Sequence, residues 1–363
     1  MYSLSAADWR GNMIYQKKQA EQILLKACRE LVESGLIART WGNVSIRLSR
    51  DLFLITPSGR AYETLEAEDL VTVRIPDLSY EGDVKPSSEK EIHASVYKLK
   101  RDADFVVHTH QPNASALSVL GENFSLTETN GNLRAERIVT PEERSILGPT
   151  IPTANYGLSS TPPLAANVRR AIRRNPDSKA FLMKHHGALC FGTSYEEAFK
   201  AAYTLEKVCG RIFEIRCGCK MPAESGELLE GEIDKGYMMH VRTPFIMEMS
   251  RRGKSVKAYL DDQAQIGGRM TKCIEPGDRS ALRELAEGGG SVLLKNDGAL
   301  IFAPDKEEAS ATAIVLEKNC QAAMLALKKG MKPVDKNSAD LEHTFYVEKY
   351  SKRKDEGHAG ETD

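Results

Sequence analysis

The sequence predicts a mixed α/β fold followed by a smaller partial repeat of itself. Two observations carry this reading. Amphipathic helical stretches alternate with short apolar runs bounded by Gly, Pro, Asn and Ser, the pattern of helices layered on a sheet. In addition, residues 183–209 (MKHHGALCFGTSYEEAFKAAYTLEKVC) and 294–320 (LKNDGALIFAPDKEEASATAIVLEKNC) match at 13 of 27 positions without a gap. Chance is a poor explanation of that agreement, so the later segment reads as a copied module.

The 363 residues are enough for two domains of ordinary size, and 41% hydrophobic residues suffice for a packed core. A net charge of −1 argues against a nucleic-acid partner or a polybasic membrane contact. No apolar run approaches the ~20 residues of a membrane helix. Met1 to Lys18 lacks the apolar stretch of a signal peptide, so a cytoplasmic location with reduced thiols is expected for the seven scattered cysteines. Cys217 and Cys219 form the one close pair, without two further partners for a zinc site.

From the N-terminus, Gln16 to Ser34 carries Ile23, Leu24, Ala27, Leu31 and Val32 on one helical face, and Gly35 suits the C-cap. Val44 to Leu48 alternates as a strand entered through the turn Gly42-Asn43. Leu52 to Ile55 reads as its hairpin partner and runs into the tight turn Thr56-Pro57-Ser58-Gly59. Leu70 to Ile75 is a third strand. Lys85-Pro86-Ser87-Ser88-Glu89 opens a helix to Lys100, with Ser88 and Glu91 at capping-box spacing. Phe105 to Thr109 is a strand, and Asn113 to Leu120 resumes as helix. Residues 121–160, rich in Gly, Asn, Thr and Pro, read as long connections. A helix from Thr161 to Arg173 and a strand from Lys179 to Lys184 lead to His185-His186-Gly187. The strand resumes over Ala188 to Phe191, and Ser194 caps a helix to Arg216.

Side chains alternate along a strand, so His108 and His110 point the same way from one strand end, a common way to offer two imidazoles to one metal. His186 ends a buried strand just before a glycine and is the natural third ligand. Three neutral imidazoles leave one coordination position open, the arrangement of a catalytic zinc. His185 falls on the opposite face, where packing is expected. His93 lies one helical turn after Glu89, placed to support the site or simply to pack. Gly42-Asn43, Ser58-Gly59 and Ser87-Ser88 are three turns of the kind that suit a phosphate if they converge, the last at a helix N-terminus.

In the second copy, His240-Val241-Arg242-Thr243-Pro244 echoes His108-Thr109-His110-Gln111-Pro112. In register, His110 becomes Arg242 and His186 becomes Asp297. The Ser-Ser-Glu helix start has no counterpart. The copy therefore reads as structural, an interface or a lid. Its helix from Lys306 to Ala326 offers Ala309, Ala313, Leu316 and Leu327 as docking positions.

The motifs Gly42-Asn43-Val44-Ser45, Thr56-Pro57-Ser58-Gly59, Pro86-Ser87-Ser88-Glu89, His108-Thr109-His110 and His186-Gly187, in this order, resemble the class II aldolase/adducin family, in pattern the fuculose-phosphate-type aldolases. The resemblance covers residues 14–215 and, more weakly, 231–327. It implies a three-layer α/β/α sandwich around a mostly antiparallel sheet. It also implies one Zn2+ per chain on His108, His110 and His186, with Glu89 as general acid/base. Asn43, Ser58, Gly59, Ser87 and Ser88 fall where such aldolases hold substrate phosphate. The implied activity is retro-aldol cleavage of a ketose 1-phosphate to dihydroxyacetone phosphate and an aldehyde, in a homo-oligomer. The alternatives are a same-family epimerase, dehydratase or decarboxylase on a sugar phosphate or sugar acid, and a non-catalytic adducin-like module. The family's aldolases carry a tyrosine proton donor in the loop after the His-x-His strand. Here that loop, Phe124 to Asn130, has none, although Glu128 stands in it. The expected division is a catalytic domain over 1–220, the partial repeat over 221–345 and a charged, disordered tail over 346–363.

Overall fold

The computed structural model describes residues 14–37, 41–127, 138–218, 228–234 and 236–357. It divides into two units, Met1–Ala114 with Gly121–Arg211, and Ser115–Leu120 with Ile212–Asp363.

In the first unit, α1 (Lys17–Glu33) precedes β1 (Gly42–Arg47), β2 (Leu52–Ile55) and β3 (Val71–Arg74). Next come α2 (Lys90–Leu99), β4 (Phe105–Thr109), α3 (Pro112–Ser118) and β5 (Phe124–Ser125). The remainder is α4 (Pro141–Leu147), β6 (Thr150–Ile151), β7 (Thr153–Ala154), α5 (Pro162–Arg174), β8 (Ala180–Met183), β9 (Gly187–Gly192) and α6 (Tyr195–Cys217), inside which the division between units falls. Seven strands form one sheet in the order β3-β2-β1-β4-β9-β8-β7. Every neighbouring pair is antiparallel except β7 with β8.

The two sheet faces follow from the alternation along β4. Val106 packs with Ile92, Val96 and Tyr97 of α2 and Leu164, Val168 and Ile172 of α5. Phe105 points the other way and meets the rings of Tyr195 and Phe199 on α6. The buried stripe Ala20, Leu24, Ala27 and Leu31 of α1 is the apolar face the sequence predicts. The result is the expected three-layer sandwich around a mostly antiparallel sheet. His108 projects on the α2 side, at the end of a strand buried along its whole length.

The second unit contains β10 (Leu229–Ile233), β11 (Gly236–Val241), α7 (Pro244–Arg251), β12 (Val256–Lys257), α8 (Asp261–Gly267) and β13 (Met270–Ile274). They are followed by α9 (Arg279–Gly288), β14 (Gly290–Leu294), β15 (Gly298–Ala303), α10 (Lys306–Lys329) and α11 (Lys336–Gly357). Its sheet runs β10-β11-β15-β14-β13-β12.

The central pairing of the first sheet recurs here residue for residue. His108 pairs with Leu189 across β4 and β9, and His240 pairs with Leu300 across β11 and β15. The turn before β9 holds His185 at φ 61°, and the turn before β15 holds Asn296 at φ 64°. A Cβ on Gly187 would lie 2.3 Å from the Thr109 carbonyl oxygen, and one on Gly298 would lie 2.3 Å from that of Val241, so both strands need glycine at this close approach. Glu206 accepts from the backbone N–H groups of Asn113 and Ala114 at the start of α3. Glu317 does the same for Phe245 and Ile246 at the start of α7. Such carboxylates satisfy donors that a helix start leaves over.

Three expectations are corrected. Ser88 and Glu91 form no capping box: the N-cap of α2 is Glu89, without a side-chain cap, because its carboxylate is turned to the histidines. Leu327 is 54% exposed, whereas Ala309 and Leu316 are buried as a docked face requires. Helix α11 runs through residue 346 to Gly357, so this part of the expected tail is helical. Among the described residues, no helix is long and apolar enough to cross a membrane.

Candidate metal centre and anion site

The strand register brings three imidazoles together. His108, His110 and His186 each offer a ring nitrogen, and these atoms lie within 4.8 Å of one another. All three residues are buried. The rings of His108 and His186 stack at 5.1 Å, and His110 stands edge-on to both, at 4.9 and 4.6 Å.

Two of the rings are held from behind. His108 Nδ1 donates to the Ala188 carbonyl oxygen at 2.8 Å. His186 Nδ1 shares a 3.3 Å hydrogen bond with Ser159 Oγ. The bond to the Ala188 carbonyl fixes the His108 tautomer whose Nε2 lone pair faces the cluster. Buried Gln111 accepts from Thr109 Oγ1 at 2.9 Å and donates to the Ala202 carbonyl at 3.2 Å, pinning the chain beside His110. The Nε2 atoms of His108 and His110 face each other at 3.1 Å. Converging lone pairs at this separation are what a divalent cation satisfies, so the donor set fits a metal.

Glu89 completes the cluster. Its Oε2 lies 3.1 Å from His108 Nε2, and its Oε1 lies 3.1 Å from His186 Nε2. Burial pushes this carboxyl up, but the imidazoles of His108 and His186 outweigh burial and hold it well below the usual carboxylate range. Asn43 Nδ2 donates to Glu89 Oε2 at 3.1 Å. Asn43 Oδ1 of the same side-chain amide accepts from His93 Nε2, and His93 Nδ1 accepts from Ser45 Oγ at 2.6 Å. Ser45 Oγ accepts in turn from the Tyr97 hydroxyl at 2.7 Å. This donor order assigns a neutral His93, in keeping with a site where burial, and secondarily His108, push its imidazole down to about 3 against the pull of Glu89. The chain of donors thus ends on the Glu89 carboxylate. Position and spacing placed His93 beside the site, but only the fold reveals its link through Asn43.

The three predicted turns converge. Ser87 N–H donates to the Thr56 carbonyl at 3.0 Å, and Ser58 N–H donates to that of Lys85 at 2.9 Å, so the turns around Ser58-Gly59 and Ser87-Ser88 run side by side. Thr56 N–H donates to the Val44 carbonyl at 3.1 Å, joining the Asn43 turn to both. Ser87 Oγ accepts from the Glu89 N–H at 3.3 Å. Ser88 is exposed and shares a 2.7 Å hydrogen bond with Ser160 Oγ. Sequence reading missed Ser159 and Ser160, because they fall in the segment read as connection and carry no motif. Glu128, the sequence candidate for the absent tyrosine, lies outside the described residues.

The second unit shows what becomes of the same scaffold without ligands. Arg242 donates from Nε and Nη2 to Asp297 Oδ1 at 3.0 and 2.8 Å, and His240 Nε2 donates to the Asp297 carbonyl at 2.7 Å. An ion pair thus joins the positions that correspond to His110 and His186.

His185 lies in the left-handed turn and packs its ring edge-on to Tyr156 at 5.5 Å. Asn tolerates that backbone. His185→Asn is therefore expected to retain metal in elemental analysis, whereas His186→Asn is expected to lose it. The opposite pattern would mean that the third ligand is the other histidine.

A profile of the class II aldolase and adducin N-terminal domain matches residues 22–212. The 5-methylthioribulose-1-phosphate/5-deoxyribulose-1-phosphate aldolase of Escherichia coli O45:K1 is 33% identical over 201 residues, 55% of this chain and 85% of that protein. The L-fuculose phosphate aldolase of Haemophilus influenzae is 28% identical over 227 residues, 62% of this chain and 97% of that protein. The methylthioribulose-1-phosphate dehydratase of Yersinia enterocolitica is 30% identical over 183 residues, 50% of this chain and 86% of that protein.

Proposed function

Because the chain belongs to the class II aldolase and adducin family, we propose that its first unit is a zinc-dependent aldolase cleaving a ketose 1-phosphate to dihydroxyacetone phosphate and an aldehyde. The observation that carries this reading is the Glu89 carboxylate 3.1 Å from two of three converging imidazoles, beside turns that suit a phosphate. His108, His110 and His186 would hold a divalent metal, which when bound would supply Lewis-acid stabilisation of the negative charge that develops when a carbon–carbon bond beside a ketone breaks. Glu89 takes the hydroxyl proton whose loss starts that cleavage. Asn43 orients the carboxylate through its amide. Ser58, Gly59, Ser87 and Ser88 hold the phosphate, binding energy spent away from the reacting carbons.

A second reading keeps the site and changes the reaction to dehydration, epimerisation or decarboxylation. It is favoured by the missing tyrosine between Phe124 and Asn130 and by the similarity to a dehydratase. The non-catalytic alternative leaves the converging histidines and Glu89 without a purpose. Incubating zinc-loaded protein with a panel of ketose 1-phosphates and sugar acids, with products identified by mass spectrometry, separates the readings. Release of dihydroxyacetone phosphate is expected, and loss of water without chain cleavage would select the dehydratase.

A further inference from the structure

Ser160 is a non-glycine residue in the left-handed backbone region, at φ 62°. Such a conformation is uncommon for serine, and a residue held there is worth testing for function. Its exposed hydroxyl lies 2.7 Å from that of exposed Ser88. One proton occupies the line between the two oxygens, which leaves a second hydroxyl proton for another acceptor. The pair sits where two helices begin, since Ser88 lies just before α2 and Ser160 just before α5. The start of α2 puts a positive dipole end beside the pair, whereas α5 opens on Pro162 and Pro163, which have no N–H to offer, so on that side the serine hydroxyl is the donor at hand. The preceding residue, Ser159, touches His186 Nδ1, so two consecutive serines join the imidazole cluster to the anion turn. The segment is a built turn: Thr161 Oγ1 donates to the Leu158 carbonyl at 2.6 Å, and Thr161 N–H donates to the same oxygen at 3.3 Å.

We propose that Ser160 is a substrate-binding residue that donates with Ser88 to the phosphate of a phosphomonoester. The proposal rests on the phosphate-binding reading of the Ser87-Ser88 turn above.

The test is calorimetric binding of dihydroxyacetone phosphate, and of dihydroxyacetone as control, to the full-length zinc-loaded protein. Ser160→Gly removes the hydroxyl and suits the positive φ, so its melting temperature should match or exceed that of the unaltered chain. It should bind dihydroxyacetone phosphate about tenfold more weakly, the loss expected for a hydrogen bond to a charged acceptor, with no change toward dihydroxyacetone. Ser160→Asp also tolerates the backbone and places a negative charge on the phosphate, so it should weaken binding by about 100-fold. Ser88→Ala serves as the reference for the turn. If Ser88→Ala weakens binding while Ser160→Gly and Ser160→Asp do not, the Ser160 proposal is overturned and the turn reading stands. If the unaltered chain binds the phosphorylated compound no better than dihydroxyacetone, both are overturned.

Discussion

Replacing Glu89 by Gln is expected to lower turnover by about 10²-fold or more while the metal stays bound. The substitution keeps the shape of a buried side chain that touches His108, His186 and Asn43, and removes only its capacity to take a proton. The amide can still accept from Asn43, so the donor chain from Tyr97 through Ser45 and His93 retains its end point. Turnover and elemental analysis on the same preparation separate three cases. Slow turnover with metal retained is the expected result. Normal turnover would put the base elsewhere, and loss of metal would make Glu89 a ligand rather than a base.

Removing one imidazole has a larger expected effect. His110→Ala should reduce turnover to background and abolish tight metal binding, since two histidines cannot replace a three-nitrogen set. Metal that binds only the folded chain also stabilises it, by about 4 kcal/mol at a free concentration about 1,000 times the dissociation constant. The unaltered protein should therefore melt at a lower temperature after treatment with a chelator, and His110→Ala should show no such shift. Equal shifts in both proteins would mean that the stabilising metal sits elsewhere.

What the sequence made legible was local. His108 lies on one short strand and His110 just past its end, and the strand's alternation alone brought their side chains together. His186 carried its signal in the adjacent Gly187, which the close approach to the Thr109 carbonyl requires. The repeat was read from identical residues, and one aligned pair of them, Glu206 and Glu317, makes the same contact with a helix start in each unit. What stayed hidden depends on partners distant in the chain. Ser160 meets Ser88 across 72 residues, and His93 reaches Asn43 across 50. The capping-box spacing of Ser88 and Glu91 misled because the helix start serves the site and not its own cap. On α10, an apolar docking face was predicted, yet Lys318 is buried in an ion pair with Asp262, a partner on α8 that no helical periodicity reveals.

We propose that the first unit holds one metal and that the second unit, where Arg242 pairs with Asp297, holds none. Elemental analysis of the full-length protein, purified with zinc and freed of loosely bound ions, tests it most directly. The account predicts about one zinc per chain, lost in His110→Ala and unaffected by Asp297→Ala. Two zinc ions per chain, or none after reconstitution, would contradict it.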